Sequence, residues 1–194
     1  MSEIINTEKL LLDSVNILLK AINQLPIETE ADYDVLIEAR MAKETLIEVK
    51  RAVLSEGWDF NTDTDYILAI DPQGMIPIPS NVLDLQSAIG NNLIIRDWKL
   101  YDKDRQSFIF EEAQKVNIIW DMDFNTLTHP IRHYITIRAA RIFISRTIGD
   151  TNAVGFNQID EENAYTACRR SEGRTGKYNM FRSPFGLNNR VRML

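Results

Sequence analysis

Cysteine is almost absent from this 194-residue chain: Cys168 stands alone, so no internal disulfide can form and CxxC-type zinc sites are excluded. Glycine and proline are sparse, at 8 and 6 residues, which excludes collagen-like and low-complexity chains. No run approaches the ~20 apolar residues of a membrane span. The N-terminal stretch MSEIINTEKLLLDSVN carries acids where a signal peptide needs bases, so the chain is expected to reach its place without secretion. Neither a GxGxxG nor a GxxxxGK[ST] phosphate loop occurs. What is present is the balance of an ordinary globular protein, 44% hydrophobic and 26% charged, which excludes a disordered chain. Its length suits one large domain with a sizeable core.

Charge is segregated along the chain. Residues 1–128 hold 11 Lys+Arg against 23 Asp+Glu, a net of −12. Residues 129–148 carry four arginines and no acid, and residues 149–168 return to −4. Residues 169–194 hold seven basic residues against Glu172 alone, a net of +6. A basic tail on an acidic body suggests docking to an acidic surface or to nucleic acid. Tyr178, Phe181 and Phe185 within that tail suit either base stacking or a protein interface, where aromatics and arginine are the usual anchors. A poorly ordered terminus is the plainer reading.

Apolar spacing predicts a first helix over 8–23, with Thr7 as cap and Leu11, Val15, Leu18 and Ile22 on one stripe before Pro26. A second is expected over 30–56, opened by a box-like Thr29/Asp32 cap. Its stripe is Val35, Ala39, Ala42, Leu46, Val49 and Val53, and it ends at Gly57. From 58 to 123 prolines and glycines punctuate short runs. Strands are expected at 66–70, 75–78, 93–96, 99–101, 107–110 and 116–120, with IPIPSNVLDL as an edge or loop. Trp58 and Phe60 are expected in the core of this sheet rather than at a subunit contact. Thr128 and Pro130 open a third helix over 129–148, apolar on most of its circumference and therefore central. A fourth is expected over 158–171 with Ile159, Ala164, Ala167 and Cys168 inward. The fold class is α+β: a bundle of about four helices with an inserted antiparallel β-region, residues 1–168, and a basic C-terminal arm, 169–194.

Candidate chemistry is thin. His129 and His133 share a helix face and with Asp121 or Asp123 could hold a metal, though no HExxH glutamate accompanies them. Asn61, Asp63 and Asp65 alternate like a calcium loop but lack its glycine and terminal glutamate. Pairs such as Glu111/Glu112 or Asp121/Asp123 could be read as glycosidase acids, yet 28 acids generate such pairs freely. Arg169 and Arg170 beside Cys168 could lower its pKa, or the thiol could simply be packed. Arg138 and Arg141 interrupt an apolar helix and must either pair with acids of the body or face a neighbouring subunit.

The order of these features resembles the head-to-tail adaptor family, tail tubular protein A, of short-tailed bacteriophages of the autographivirus type. The resemblance rests on SVNILLKAINQLPI (14–27), GWDFN (57–61), YDKDRQSFIF (101–110), HPIRHYITIRAARIFISRTIG (129–149), EENAYTACRRSE (161–172) and YNMF (178–181). It implies a structural virion protein without catalytic residue, metal or cofactor. Its setting would be a dodecameric ring under the portal protein, receiving the nozzle (tail tubular protein B), with tail fibres near that junction. Genomic DNA would pass through the channel without specific binding, and no membrane is involved. Assembly would occur in the host cytoplasm before incorporation into the virion tail. Within that frame Arg169, Arg170, Arg174, Lys177, Tyr178, Phe181, Arg182, Phe185, Arg190 and Arg192 are expected to dock on the portal or a neighbour, and Arg138 and Arg141 to act between subunits or structurally. Two alternatives remain: a polysaccharide hydrolase using Glu111 or Asp121, and a nucleic-acid-binding protein using the basic tail.

Overall fold

The structure is a computed structural model and describes residues 8–149 and 158–175. Helix α1 (Glu8–Ala21) buries Val15, Leu18 and Leu19, with Leu11, Leu12 and Ile22 packed beside them, as its spacing predicts. It stops two residues early: Asn23 adopts φ +59° and the Gln24 N–H donates back to the Leu19 carbonyl at 3.0 Å. Asn16 then pins the returning chain, accepting the Ile27 N–H at 2.8 Å and donating to the Ile27 carbonyl at 2.9 Å. The expected Thr7 cap lies outside the described residues.

The second helix is broken, against expectation. A single turn, α2 (Asp32–Val35), precedes α3 (Ile37–Leu54), and Leu36 between them is extended at φ −103°, ψ 113°. The Asp32 carboxylate does gather the turn, accepting the Glu28 and Thr29 N–H groups at 3.1 and 2.9 Å. A continuous helix, however, would stack Glu30, Asp34 and Glu38 at i, i+4 spacing, each pair repulsive. The break relieves that and turns Tyr33 inward, while Val35, expected on the buried stripe, is 84% exposed. Ala39, Ala42, Leu46, Val49 and Val53 are buried as expected.

Two antiparallel sheets form the insertion. Strands β1 (Thr62–Leu68) and β2 (Val82–Ser87) flank β5 (Gln114–Trp120), while β3 (Leu93–Arg96) and β4 (Lys99–Asp102) make a hairpin. Hairpin and β5 fall where the runs predict. The segment IPIPSNVLDL (76–85) runs into β2, which is an edge strand. The expected strands 75–78 and 107–110 do not form. Pro77 and Pro79 lack an N–H, so the backbone of this stretch meets the hairpin through the Ile78 N–H to the Trp98 carbonyl of its turn (2.8 Å) and the Leu100 N–H of β4 to Ile76 (2.9 Å). The sheets enclose a second core of Leu68, Ile76, Ile78, Val82, Leu85, Leu93, Leu100, Phe110, Val116 and Ile118.

Helix α4 (His129–Ile148) runs as predicted, with Pro130 in its first turn and Gly149 at φ +77° after its last. It is the central helix, packed by α1, α3 and α5 (Gln158–Thr175). Two hydrogen bonds of 2.6 and 2.8 Å join Arg146 to Glu48 across α3 and α4 and hold the Glu48 carboxyl below its usual range. On α5 only part of the expected inner face is inward: Ala164 and Cys168 are buried, while Ile159 and Ala167 are exposed.

Candidate assembly site

GWDFN builds the joint between the helical core and the sheets. Gly57 adopts φ +73°, which favours glycine, and a Cβ there would meet Ile119 Cδ1 at 3.0 Å, so that side chain would have to give way to any larger residue. Trp58 is 1% exposed and its indole N–H donates to the Val53 carbonyl at 2.7 Å. Asn61 is equally buried. Its Oδ1 accepts the Trp58 N–H at 2.8 Å, and its Nδ2 donates to the carbonyls of Leu54 at 3.0 Å and Trp120 at 2.9 Å. One amide therefore ties the end of α3 to the end of β5. Beside it the buried Lys50 ammonium meets Asp121 at 2.6 Å and donates to the Met122 carbonyl at 2.9 Å. Of the two aromatics expected in the core, Trp58 belongs to the helical core rather than the sheet's, and Phe60 reaches the surface.

A girdle of charge surrounds this joint. Arg138 donates to the Tyr134 hydroxyl at 2.8 Å and lies 3.4 Å from Glu56 and 3.6 Å from Glu161. The other oxygen of Glu161 meets Arg141 at 2.5 Å. Burial pushes the Tyr134 phenol up, against the opposing pull of the Arg138 guanidinium. One carboxylate of α5 thus binds both Arg138 and Arg141 of α4. Arg169 lies over the Trp58 ring at 5.4 Å and pairs with Glu172 at 3.3 Å, while Glu172 also accepts the Asp59 N–H at 2.5 Å. The basic segment therefore begins within α5, and its first arginine is bound to the body. Arg170 is exposed on the same helix. Lys177, Tyr178, Phe181, Arg182, Phe185, Arg190 and Arg192, with the side chain of Arg174, lie outside the described residues.

The candidate chemistries do not converge. Cys168 is not activated: burial, then Glu172, pushes its thiol up to about 12 despite the opposing Arg169. His129 and His133 are exposed with rings 5.9 Å apart, and among the described residues no three His, Cys, Asp or Glu side chains gather to hold a metal. Asn61 is spent on backbone, Asp63 accepts the Trp120 indole N–H at 2.8 Å, and Asp121 is paired with Lys50. Glu111 and Glu112 sit exposed in the segment leading into β5.

Sequence reasoning missed two exposed apolar features. At the α1–α2 turn and the helix break, Leu25 is 82% and Ile37 60% exposed, beside Val35. At the β3–β4 tip, Asp97 and Trp98 both take positive φ, 53° and 56°, in a two-residue hairpin turn that leaves Trp98 58% exposed. A bulky residue in the left-handed region is costly, and such outliers gather where function uses them. The two-residue gap between IIR and KLY was the available signal.

A sequence model of the tail tubular protein family matches residues 12–178. The chain belongs to that family. It is thus a structural protein of a bacteriophage virion, a component of the tail. Tail tubular protein A of Klebsiella phage KP34 is 27% identical over 155 residues, 77% of this chain and 80% of that protein. The tail tubular match takes in the joint, the girdle and both sheets, and it ends at residue 178, so Phe181, Arg182, Phe185, Arg190 and Arg192 fall beyond it. Among the described residues of this tail protein no helix is long and apolar enough to cross a membrane.

Proposed function

We propose that this tail protein is the adaptor that joins the portal to the nozzle, as a dodecameric ring continuing the channel through which DNA leaves. The observation that carries the reading is the tail tubular match across nearly the whole described body. Charge supports it. A body whose residues 1–128 carry a net of −12 would repel DNA phosphates and let the genome slide without specific binding. The basic residues of 169–194 beyond the anchored Arg169 dock on an acidic neighbour, and a ring multiplies each weak contact around its circumference. Arg138 and Arg141, satisfied by Glu56 and Glu161 of the same chain, act structurally: they hold α5 so that the arm leaves from a fixed point. Nozzle and tail fibres are the partners on the far side, and the protein awaits them in the host cytoplasm before entering the virion.

The test is co-sedimentation with the cognate portal protein, followed by negative-stain imaging of the heavy fraction. A stoichiometric ring added to one end of the portal is the expected result. Two proteins that stay apart across a range of salt concentrations would overturn the adaptor reading.

A further inference from the structure

The segment joining α1 to α3 combines uncovered apolar surface with dense negative charge. Residues 28–38 contain Glu28, Glu30, Asp32, Asp34 and Glu38 and no Lys or Arg. Between the Pro26–Thr29 stretch and the side chains of Asp32, Val35 and Leu36 lies a groove of about 370 Å³. Val35 of its lining is exposed, and so are Leu25 and Ile37, the chain neighbours of its Pro26 and Leu36. Water against three such side chains is unfavourable, and repulsion among the acids adds to the cost, so a basic, apolar occupant would relieve both.

From this we infer that the groove receives the C-terminal segment, residues 176–194, of a neighbouring copy of the chain; the inference rests on the ring reading above. That segment carries Lys177, Arg182, Arg190 and Arg192 with no acid, and Tyr178, Phe181 and Phe185 as apolar anchors. The helix directions decide between a neighbour's groove and the chain's own. Glu48–Arg146 and Glu56–Arg138 set α3 and α4 antiparallel. Glu161–Arg141 and Tyr165–Tyr134 set α5 antiparallel to α4, hence parallel to α3. The chain therefore leaves α5 beside Asp59, past the C-terminal end of α3, heading away from the groove at the N-terminal end. The 18 residues of α3 separate donor end and groove by about 27 Å. That exceeds the roughly 21 Å that the six residues from Thr175 to Phe181 can span fully extended, so Phe181 can enter only a neighbour's groove. Donor and receiver on opposite ends make a head-to-tail contact, the kind that closes into rings.

The experiment places the photo-crosslinker p-benzoylphenylalanine at position 181 of the full-length chain. Equal amounts of ¹⁴N- and ¹⁵N-labelled copies are bound to the portal protein and irradiated, and the linked peptides are sequenced by mass spectrometry. Links from position 181 to residues 25–41 of the other isotope are expected. They should fall at least tenfold in Glu30→Lys/Asp34→Lys and return when the linker-bearing copy carries Lys177→Glu/Arg182→Glu. Rings whose links run to the portal, to the same copy or to another surface would overturn the groove while leaving the adaptor role standing. No portal-bound ring at all would remove the adaptor reading and this one with it.

Discussion

Replacing Asn61 by alanine tests whether the joint is held by that one amide. The substitution removes three hydrogen bonds of 2.8–3.0 Å from a fully buried site. The Leu54 carbonyl keeps the Gly57 N–H at 3.1 Å, so its loss is partial. The Trp58 N–H is stranded, and a buried donor without a partner costs about 1–3 kcal/mol. With about 1 kcal/mol for each of the other two bonds, the expected loss is about 3–5 kcal/mol, against a total stability on the order of 5–15 kcal/mol. Urea unfolding followed by tryptophan fluorescence reads this through the buried Trp58, and the midpoint should fall by about 1–2 M at an unchanged slope. Asn61→Asp keeps the acceptor but loses both donors and turns a charge toward two carbonyls, so it should be the worse variant. A loss below about 1 kcal/mol for alanine, or equal tolerance of aspartate, would refute the reasoning.

Asp121→Ala leaves the Lys50 ammonium buried with only the Met122 carbonyl, and should cost about 3 kcal/mol in the same urea assay, most of it recovered by adding Lys50→Met. Gly57→Ala should lose at least about 1 kcal/mol from its positive φ, and Ile119→Val, which removes the Cδ1 atom facing the new methyl, should restore only the steric part. Cys168 should resist a thiol reagent such as Ellman's at pH 8 in the folded chain and react fully after denaturation, because burial keeps its proton. The same shift fixes a pH dependence. Above the ordinary value of 9.0 the unfolded thiol ionises while the folded one holds its proton to about 12, so Cys168 should make stability fall as pH rises through that window and not below it.

Helix α4 was the most legible element, since Pro130, Gly149 and an apolar circumference act within the element itself. The break before α3 was not legible, because no glycine or proline marks it; the acids that a continuous helix would stack disfavour it only weakly, and Tyr33 is buried in a core that local periodicity does not describe. Strand β2 was half legible: Pro77 and Pro79 before it announced an edge and hid the paired residues after them. For Cys168, sequence neighbours misled. Arg169 and Arg170 adjoin it along the chain, but a helix turns each successive residue by about 100°, and the group one turn on, Glu172, together with burial, sets the thiol's state. Arg138 and Arg141 were visibly out of place, yet their shared partner Glu161 sits 20 residues beyond Arg141 and only folding pairs them. The GWDFN fragment read as a signature without a reason; the reason is that each of Gly57, Trp58 and Asn61 closes a different side of one joint.

That joint bears on assembly through its directionality. Between the helical core and the sheet core run hydrogen bonds from Asn61 and one buried ion pair, which hold an angle, where apolar packing alone would permit slip. On the proposed ring the angle matters more than the strength. A head-to-tail contact repeated around a circle closes only if each copy contributes the same rotation, and an error per subunit accumulates with every copy added. A joint variant that remains folded but loosened, such as Gly57→Ala, should therefore yield arcs and mixed ring sizes on the portal rather than a uniform loss of binding. Closed rings of unchanged size from a measurably looser joint would mean that the portal, and not the shape of the subunit, dictates closure.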